Sequence, residues 1–463
     1  MNPPTIVKEN LRKVALLIAA SVLLLLPAIY NGFPLLYPDT GTYLFSALSF
    51  NVPGDRPVFY GLFIGLFSMG FTLWTVVFVQ NLILAFLLQL WWKKIFNQSS
   101  SLLFLLIILA LSCFTNAGWI SNLLTPDIFT CYVLLSLPLL VVRKTVLPKP
   151  EKLFLLSIVI VSVLVHTSVL LIALEFAFLI LLIHLTGVVS PFYRKNNFFS
   201  LRRILFILLL VVVSISANVL ITFSKFQNAR ICNDSNVFLL ARFAENGVLK
   251  KFMDDNCEKK HYHFCGSDNL QVPSGYFLWV KESPLNLAGD WNSHDTEYSE
   301  IVNRCIKEYP MEQIESSFSS TFFLISNIRY AEFLSPIGIN TSANTFMKNY
   351  VPGDLSSFHK SKQENDVLKN ATDVLAPVNF YFLIISLVPV IAIIVLSFFA
   401  FHLRFAALQV VLLMIGIIIN ANVCATFSTQ WDSRYNSRAI WLLAFAGLSS
   451  VAMLLIRKKI IHA

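Results

Sequence analysis

The chain has 463 residues, of which 56% are hydrophobic and 13% are charged, and its formal net charge is +9. In soluble domains about a quarter of all residues are charged. The present composition therefore excludes a soluble protein and indicates an all-α polytopic membrane protein. The Lys and Arg residues form short clusters between apolar runs rather than one basic face, which argues against a nucleic-acid partner and leaves the lipid bilayer as the first partner.

Ten apolar runs approach the length that crosses a hydrocarbon core of about 30 Å. They cover residues 14–30, 72–92, 102–117, 128–142, 153–167, 168–185, 204–223, 379–400, 405–420 and 439–456. The fifth and sixth runs form one stretch that is too long for a single helix, so we divide it near His166-Thr167-Ser168. The first run is longer than a signal-peptide core and lacks a small-residue cleavage site, so we expect it to remain as a span.

The basic clusters predict the orientation, because Lys and Arg accumulate in short cytoplasmic loops. With cytoplasmic termini, these clusters all fall on one side: Lys8, Arg12 and Lys13; Lys93 and Lys94; Arg143, Lys144, Lys149 and Lys152; Arg194, Lys195, Arg202 and Arg203; Arg404; Arg457, Lys458 and Lys459. Asp39, Asp55 and Asp127 then lie on the other side. We expect a bacterial inner-membrane protein whose functional face is extracytoplasmic.

The first outer loop, residues 31–71, contains the polar stretch Tyr37-Pro38-Asp39-Thr40-Gly41-Thr42-Tyr43. Asp39 must be solvated, paired or used, because hydrocarbon offers a carboxylate no partner. The alternative is a turn that only ends a helix. Later in the loop, the apolar run 58–69 is too short to cross and return, so we predict a helix in the outer interface. Its buried stripe is formed by Phe59, Tyr60, Phe63 and Phe67.

Residues 224–377 form the longest soluble stretch, which predicts a mostly helical extracytoplasmic domain between the membrane modules 1–223 and 378–463. Residues 237–243 have the spacing of a helix that lies against the membrane or the bundle. Cys232, Cys257, Cys265 and Cys305 fall in this domain and suggest two disulfides with three possible pairings. Alternatively, Cys257 and Cys265 bind zinc with the intervening His261 and His263.

Several ionisable residues fall at the outer ends of the predicted spans. Each has a structural alternative: Asp127 could cap the fourth span, His166 could bond the backbone at a helix end, and Glu175 could be paired within the sixth span. Arg434 and Arg438 lie one helical turn apart and either anchor a helix to headgroups or point to one site.

A carboxylate beside arginines at a membrane surface suits a lipid-linked phosphate donor. The guanidinium groups hold the phosphate and stabilise the negative charge that develops on the leaving group. The carboxylate accepts a proton from the incoming hydroxyl or amine.

The order of these motifs resembles the GT-C superfamily of polytopic glycosyltransferases. The resemblance rests on Tyr37–Tyr43 in a long first outer loop, on Arg56-Pro57-Val58-Phe59-Tyr60-Gly61-Leu62, on Trp91-Trp92-Lys93-Lys94 at the end of the second span, on Asp127, and on Ser433-Arg434-Tyr435. It covers residues 1–185 and 420–456, and we assign the chain by resemblance to a bacterial branch.

The resemblance implies a polyprenyl-phosphate-sugar donor and a glycan, lipid or protein acceptor. It implies that Asp39 and Asp127 are the catalytic carboxylates and that Asp39 is the general base. It also implies a donor pocket formed by Arg56, His166, Glu175, Arg434, Tyr435 and Arg438. No cofactor is expected; a divalent metal stays an alternative that no Asp-Xaa-Asp motif beside Asp127 supports. The cysteine-bearing domain departs from the family pattern, which leaves the acceptor open.

Two other function classes compete with a transferase. A transporter or flippase would leave repeated halves and polar groups at the membrane midplane, whereas the first five spans do not resemble the last five. An assembly scaffold without chemistry predicts that Asp39, Arg434 and Arg438 do not meet.

Overall fold

The computed structural model describes residues 3–188, 198–267, 269–428 and 432–461, with side chains between residues 9 and 455. The predicted cytoplasmic residues Arg194 and Lys195 lie outside these ranges. The described chain is helical and contains no β-strand, only isolated bridges such as Leu35 with Leu123. The predicted all-α class is therefore confirmed.

The helices described in residues 3–226 come first along the chain. They are α1 (Pro3–Leu24), α2 (Leu26–Asn31), α3 (Thr40–Ser49), α4 (Phe59–Ser68), α5 (Trp74–Lys94), α6 (Ser101–Phe114), α7 (Ala117–Ser121), α8 (Ile128–Val141), α9 (Lys149–Val165), α10 (Thr167–Gly187) and α11 (Leu201–Phe226).

The remaining helices complete the chain. They are α12 (Ser235–Glu245), α13 (Val248–Asn256), α14 (Ser274–Trp279), α15 (Pro284–Ala288), α16 (Asp295–Glu308), α17 (Pro310–Ser326), α18 (Ser342–Tyr350), α19 (Leu355–His359), α20 (Leu368–Phe399), α21 (Arg404–Phe427), α22 (Arg434–Ile440) and α23 (Leu442–Ile461), with 3₁₀ turns at Pro352–Asp354 and Phe401–Leu403.

Six helical stretches among the described residues are long and apolar enough to cross a membrane, so the chain is a multi-pass membrane protein. They are Trp74–Lys94, Thr167–Gly187, Leu201–Phe226, Leu368–Phe399, Phe401–Phe427 and Arg434–Leu455. The other four predicted spans correspond to α1, which ends before Pro27, to α6 and α8 with 14 residues each, and to α9 with 17. The count of ten crossings stays a prediction.

The predicted division of the fifth and sixth runs is confirmed. His166 has an extended backbone (φ −151°, ψ 128°) between α9 and α10, and its ring accepts a hydrogen bond from the backbone N–H of Ser168, in the first turn of α10. A side chain thus replaces the missing carbonyl partner at the helix start. The break brings His166 and Ser168 to the same end of the bundle as Asp39, which we call the Asp39 end.

The loop that follows α2 folds into two short helices packed on each other. The predicted interfacial helix is α4, in which Tyr60 and Phe63 are buried while Phe59 and Phe67 are half-buried. Helix α3, which the sequence patterns did not predict, begins directly after Asp39. At Gly61, a Cβ atom would lie 2.5 Å from Ser46 Cβ and 2.8 Å from a carbonyl of α3, so only glycine allows this approach.

The predicted domain of residues 224–377 consists of two parts. Residues 235–309, here called the cap domain, comprise α12–α16 around their own hydrophobic core, which includes Leu240, Phe252 and Tyr298. The segment that includes Tyr330 and Phe358 belongs instead to the core of the membrane bundle. The predicted helix over 237–243 is part of α12, which packs inside the cap domain and against α21.

One of the two predicted disulfides is present, between Cys257 and Cys265. The second is wrong: Cys232 and Cys305 are both free and buried, Cys232 beside Thr167 of α10 and Cys305 in the cap-domain core. The zinc alternative is also wrong, because both of its thiols are used by the disulfide.

Candidate functional site

The segment before Asp39 is fixed by backbone pairing. Leu35 donates to and accepts from the strand-like residues before Asp127, and its carbonyl lies 2.9 Å from the Leu124 nitrogen. The side chain of Gln363 bonds both polar backbone atoms of Leu36, at 3.0 and 2.7 Å. These bonds hold the two predicted acidic segments beside each other at the Asp39 end.

Asp39 is paired with two arginines that come from distant parts of the chain. Its Oδ2 lies 3.1 Å from Nη1 of Arg434, at the start of α22. Its Oδ1 lies 3.3 Å from Nη1 of Arg56, which also binds Asp55 at 2.6 Å. The Asp39 side chain keeps a quarter of its surface exposed, so it is paired yet accessible.

Arg434 is held in place from several sides. Its Nη2 lies 3.1 Å from Asp432 Oδ2, and its guanidinium carbon lies 3.9 Å from the centre of the Tyr37 ring. The Tyr37 hydroxyl donates to Asp432, at 3.3 Å. The planar guanidinium group therefore has a fixed orientation towards Asp39.

Asp127 and Arg438 form a buried layer behind this pair. Asp127 Oδ1 lies 3.3 Å from Arg438 Nη1, and its Oδ2 lies 3.6 Å from Arg434 and accepts from Thr125 at 2.5 Å. Arg438 is fully buried and also donates to Asn420 at 2.9 Å. Neither side chain lines the adjoining cavity, so both predicted site residues lie behind its wall.

A cavity of about 620 Å³ opens beside Asp39, between the membrane helices and the cap domain. Its wall has three kinds of surface. The charged part contains Asp39, Asp55, Arg56, Arg230 and Arg434; the apolar part contains Leu171, Val219, Ile231, Phe238, Leu239, Val423 and Phe427; the neutral polar part includes Thr167, Ser168, Ser235, Asn236, Ser299, Asn303 and Ser428. Each of the three arginines is paired with a carboxylate: Arg56 with Asp39 and Asp55, Arg434 with Asp39 and Asp432, and Arg230 with Asp295.

The electrostatics keep Asp39 ionised. Burial alone would raise the pKa of its carboxyl, but Arg56 and Arg434 outweigh burial and lower the pKa to about 2. Asp127 follows the same balance: burial raises its pKa, Arg434 and Arg438 lower it, and the net shift is downward. Both acids are therefore anions at neutral pH.

The other predicted residues divide between the cavity and the bundle. His166 and Tyr435 line the cavity, and the Tyr435 hydroxyl accepts from Ser428 at 2.7 Å. Glu175 lies about two turns into α10, half-buried, and does not line the cavity. Of the residues predicted for a donor pocket, Arg56, His166, Arg434 and Tyr435 line the cavity, whereas Glu175 and Arg438 do not.

Several cavity residues escaped the sequence interpretation. Asp432 also escaped it; this residue does not line the cavity but binds Arg434 at 3.1 Å from two positions earlier in the chain, a spacing at which a carboxylate can reach the arginine. Cys232, which we expected in a disulfide, lines the cavity together with Cys424. Burial raises the pKa of the Cys232 thiol to about 12, so this thiol stays protonated. Asn236 belongs to the cap domain, and no local motif connects it with Asp39.

No protein-family model, curated protein or solved structure matches the chain.

Proposed function

We propose that this protein is a membrane glycosyltransferase that moves a sugar from a polyprenyl-phosphate carrier to an envelope glycan, lipid or protein. The observation that carries the proposal is the meeting of Asp39 with Arg56 and Arg434 on the wall of a cavity that membrane helices also line. Arginines suit phosphate, and the apolar wall suits the first isoprene units of the carrier.

The low pKa of Asp39 makes it a weak base when no donor is bound, and donor binding raises this pKa. A phosphate group in the cavity competes with Asp39 for Arg56 and Arg434, because guanidinium groups bind phosphate through paired hydrogen bonds. Losing these partners raises the pKa of Asp39 from about 2 towards the range of a useful base. The donor thus activates the base that will act on the acceptor.

The transfer makes one bond and breaks one bond at the anomeric carbon. The acceptor oxygen or nitrogen attacks this carbon while Asp39 takes its proton, and the bond from the carbon to the phosphate oxygen breaks. The electron pair leaves with the polyprenyl phosphate, whose charge the arginines stabilise. Attack opposite the phosphate inverts the configuration.

Asp127 and Arg438 support this chemistry from behind the wall. Asp127 binds both Arg434 and Arg438, so it sets the position of the arginine that faces the cavity. The neutral amides and hydroxyls of Asn236, Ser299 and Asn303 suit the hydroxyl groups of an acceptor or sugar. The basic clusters favour cytoplasmic termini and a cavity that opens to the periplasm.

The test uses purified protein in detergent, incubated with a total extract of polyprenyl-phosphate sugars and cell-envelope acceptors. Mass spectrometry follows the release of free polyprenyl phosphate. We expect release by the native chain and by Asp254→Asn, which alters an exposed pair with Lys250, and none by Asp39→Asn. Unchanged release by folded Asp39→Asn excludes the proposed base. A transporter releases nothing in detergent, where the protein no longer separates two compartments.

A further inference from the structure

Helix α17 carries an exposed apolar stripe. Met311, Ile314, Phe318 and Phe322 follow each other at spacings of three and four residues and so share one face. Their exposed fractions are 62%, 47%, 71% and 75%. A face with two exposed phenylalanines and a methionine is unusual on the water-facing side of a domain.

The opposite face of α17 is polar and packed. Ser317 bonds Thr426 of α21 at 2.5 Å, and Asn422 of α21 donates to Ser317 at 3.2 Å and to Thr321 at 3.3 Å. On the cap-domain side, Ser320 accepts from Arg242 of α12 at 2.8 Å. The helix therefore turns its hydroxyl groups inward and its apolar side chains outward, which is the reverse of a helix on a soluble domain.

The contacts between α17 and α21 indicate how deep α17 lies in the membrane. Leu324 packs with Ala421 and Cys424 of α21, whose apolar stretch ends at Phe427. Ala421 lies six residues before Phe427, which corresponds to about 9 Å along the axis of α21. The last turns of α17 therefore lie beside the part of α21 that is apolar enough to cross the membrane.

We infer that α17 lies in the bilayer leaflet at the Asp39 end, with its apolar stripe among the lipid acyl chains. The contacts of Ser317 with Thr426, of Thr321 with Asn422 and of Leu324 with Ala421 run α17 antiparallel along α21, so the half of α17 that carries Phe318 and Phe322 enters the leaflet. Glu312 and Glu315 fall in the first two turns, where the helix enters from the headgroup region. The residues after α17 return to the bundle, where the Arg329 carbonyl accepts from Asn116 and Ser437.

This anchor ties the cap domain to the membrane at a defined height. The guanidinium group of Arg242 is buried, pairs with Glu245 at 2.7 Å and bonds α17 through Ser316 and Ser320. The same helix, α12, supplies Asn236 and Phe238 to the cavity wall. The cap domain is thus a membrane-seated wall of the cavity. The inference holds whether or not the protein is a transferase.

The experiment uses the unmodified full chain in phosphatidylcholine vesicles. A lipid that carries a carbene-generating group in its acyl chain labels side chains in contact with lipid, and a parallel hydroxyl-radical footprint labels side chains in contact with water. Mass spectrometry locates both labels. The positive controls are Leu220 and Phe223 on the exposed side of α11, and the negative controls are the exposed cap-domain residues Leu287 and Trp279.

We expect Phe318 and Phe322 to take the lipid label as strongly as the α11 residues and several-fold more strongly than the cap-domain controls, with little radical labelling. Radical labelling at the level of the cap-domain controls means that water covers the stripe and overturns the inference. Protection from both labels means that a protein surface, such as a second copy, covers it and overturns the inference equally.

Discussion

Replacing Arg438 with methionine is the sharpest test of the buried layer behind the cavity. The side chain is fully buried and donates to Asn420 at 2.9 Å and to Ser168 at 3.1 Å, besides pairing with Asp127 at 3.3 Å. Methionine fills a similar volume without these bonds. The substitution leaves the carboxylate of Asp127 buried with one cation fewer.

The expected magnitude follows from the partners that remain. Removing one member of a buried ion pair costs about 3–5 kcal/mol, because the other charge stays buried. Arg434 still lies 3.6 Å from Asp127, and Thr125 still donates to it, so the cost falls in the lower half of that range, at about 3–4 kcal/mol. Adding Asp127→Asn removes the unpaired charge and recovers about 1–2 kcal/mol of the loss, within the usual range of coupling between contacting residues.

The assay is equilibrium unfolding of the purified protein in mixed micelles of a mild detergent and dodecyl sulfate. The control is Lys250→Met, whose partner Asp254 is exposed, and its cost is no more than about 0.5 kcal/mol. An Arg438→Met variant within about 1 kcal/mol of the native chain contradicts the buried-pair reasoning, since one kcal/mol is all that an exposed pair contributes. A double variant that is no more stable than the single one refutes it as well.

Three further predictions concern backbone packing, pH and the cysteines. A Cβ at Gly41 would lie 2.8 Å from the backbone nitrogen of Ala343 in α18, which cannot move aside as a side chain can. Gly41→Ala should therefore lower the free energy of unfolding by about 1–3 kcal/mol in the same assay, whereas Gly275→Ala, with open space around it, should be tolerated; equal stability of the two variants contradicts this packing. The folded-state pKa of Asp39 lies below its ordinary 3.8, so its contribution is present above that pH and is lost as the pH falls to about 2; the unfolding free energy of Asp39→Asn should therefore fall less steeply over this interval than that of the native chain, and parallel curves would argue against the ion pairs. Alkylation of the denatured, unreduced protein should modify five cysteines and leave Cys257 and Cys265 unmodified, which peptide mass spectrometry measures. Four unmodified cysteines would show that a second disulfide forms and would contradict the structure.

Sequence patterns predicted the long apolar helices because their hydropathy extends over whole turns. Such patterns cannot distinguish lipid from protein surroundings, and α8 illustrates this: all of its residues are buried, so its continuous apolar run reflects a central position in the bundle rather than demonstrated contact with lipid. The same ambiguity left α17 in a presumed soluble domain, although its phenylalanines face outward.

The candidate site was predictable where local chemistry was distinctive. Asp39 meets Arg434 as expected and also Arg56, whereas Arg438, the second arginine expected beside Asp39, pairs with Asp127. Depth was not predictable, since Arg434 and Arg438 differ by one turn, yet one lines the cavity and the other lies behind it. The contributions of Gln363 and Asn236 depend on contacts across more than a hundred residues, which no local pattern encodes.

The central claim is that the cavity beside Asp39 binds the phosphate of a polyprenyl lipid through Arg434 and Arg56. Native mass spectrometry of the protein, released from micelles that contain a polyprenyl phosphate, tests this claim directly. Arg329→Gln is the matched control, because it removes an arginine that pairs with exposed Glu332 away from the cavity. We predict one retained lipid on the native chain and on this control, and loss of the lipid from both Arg434→Gln and Arg56→Gln; equal retention by all four folded proteins would contradict the account.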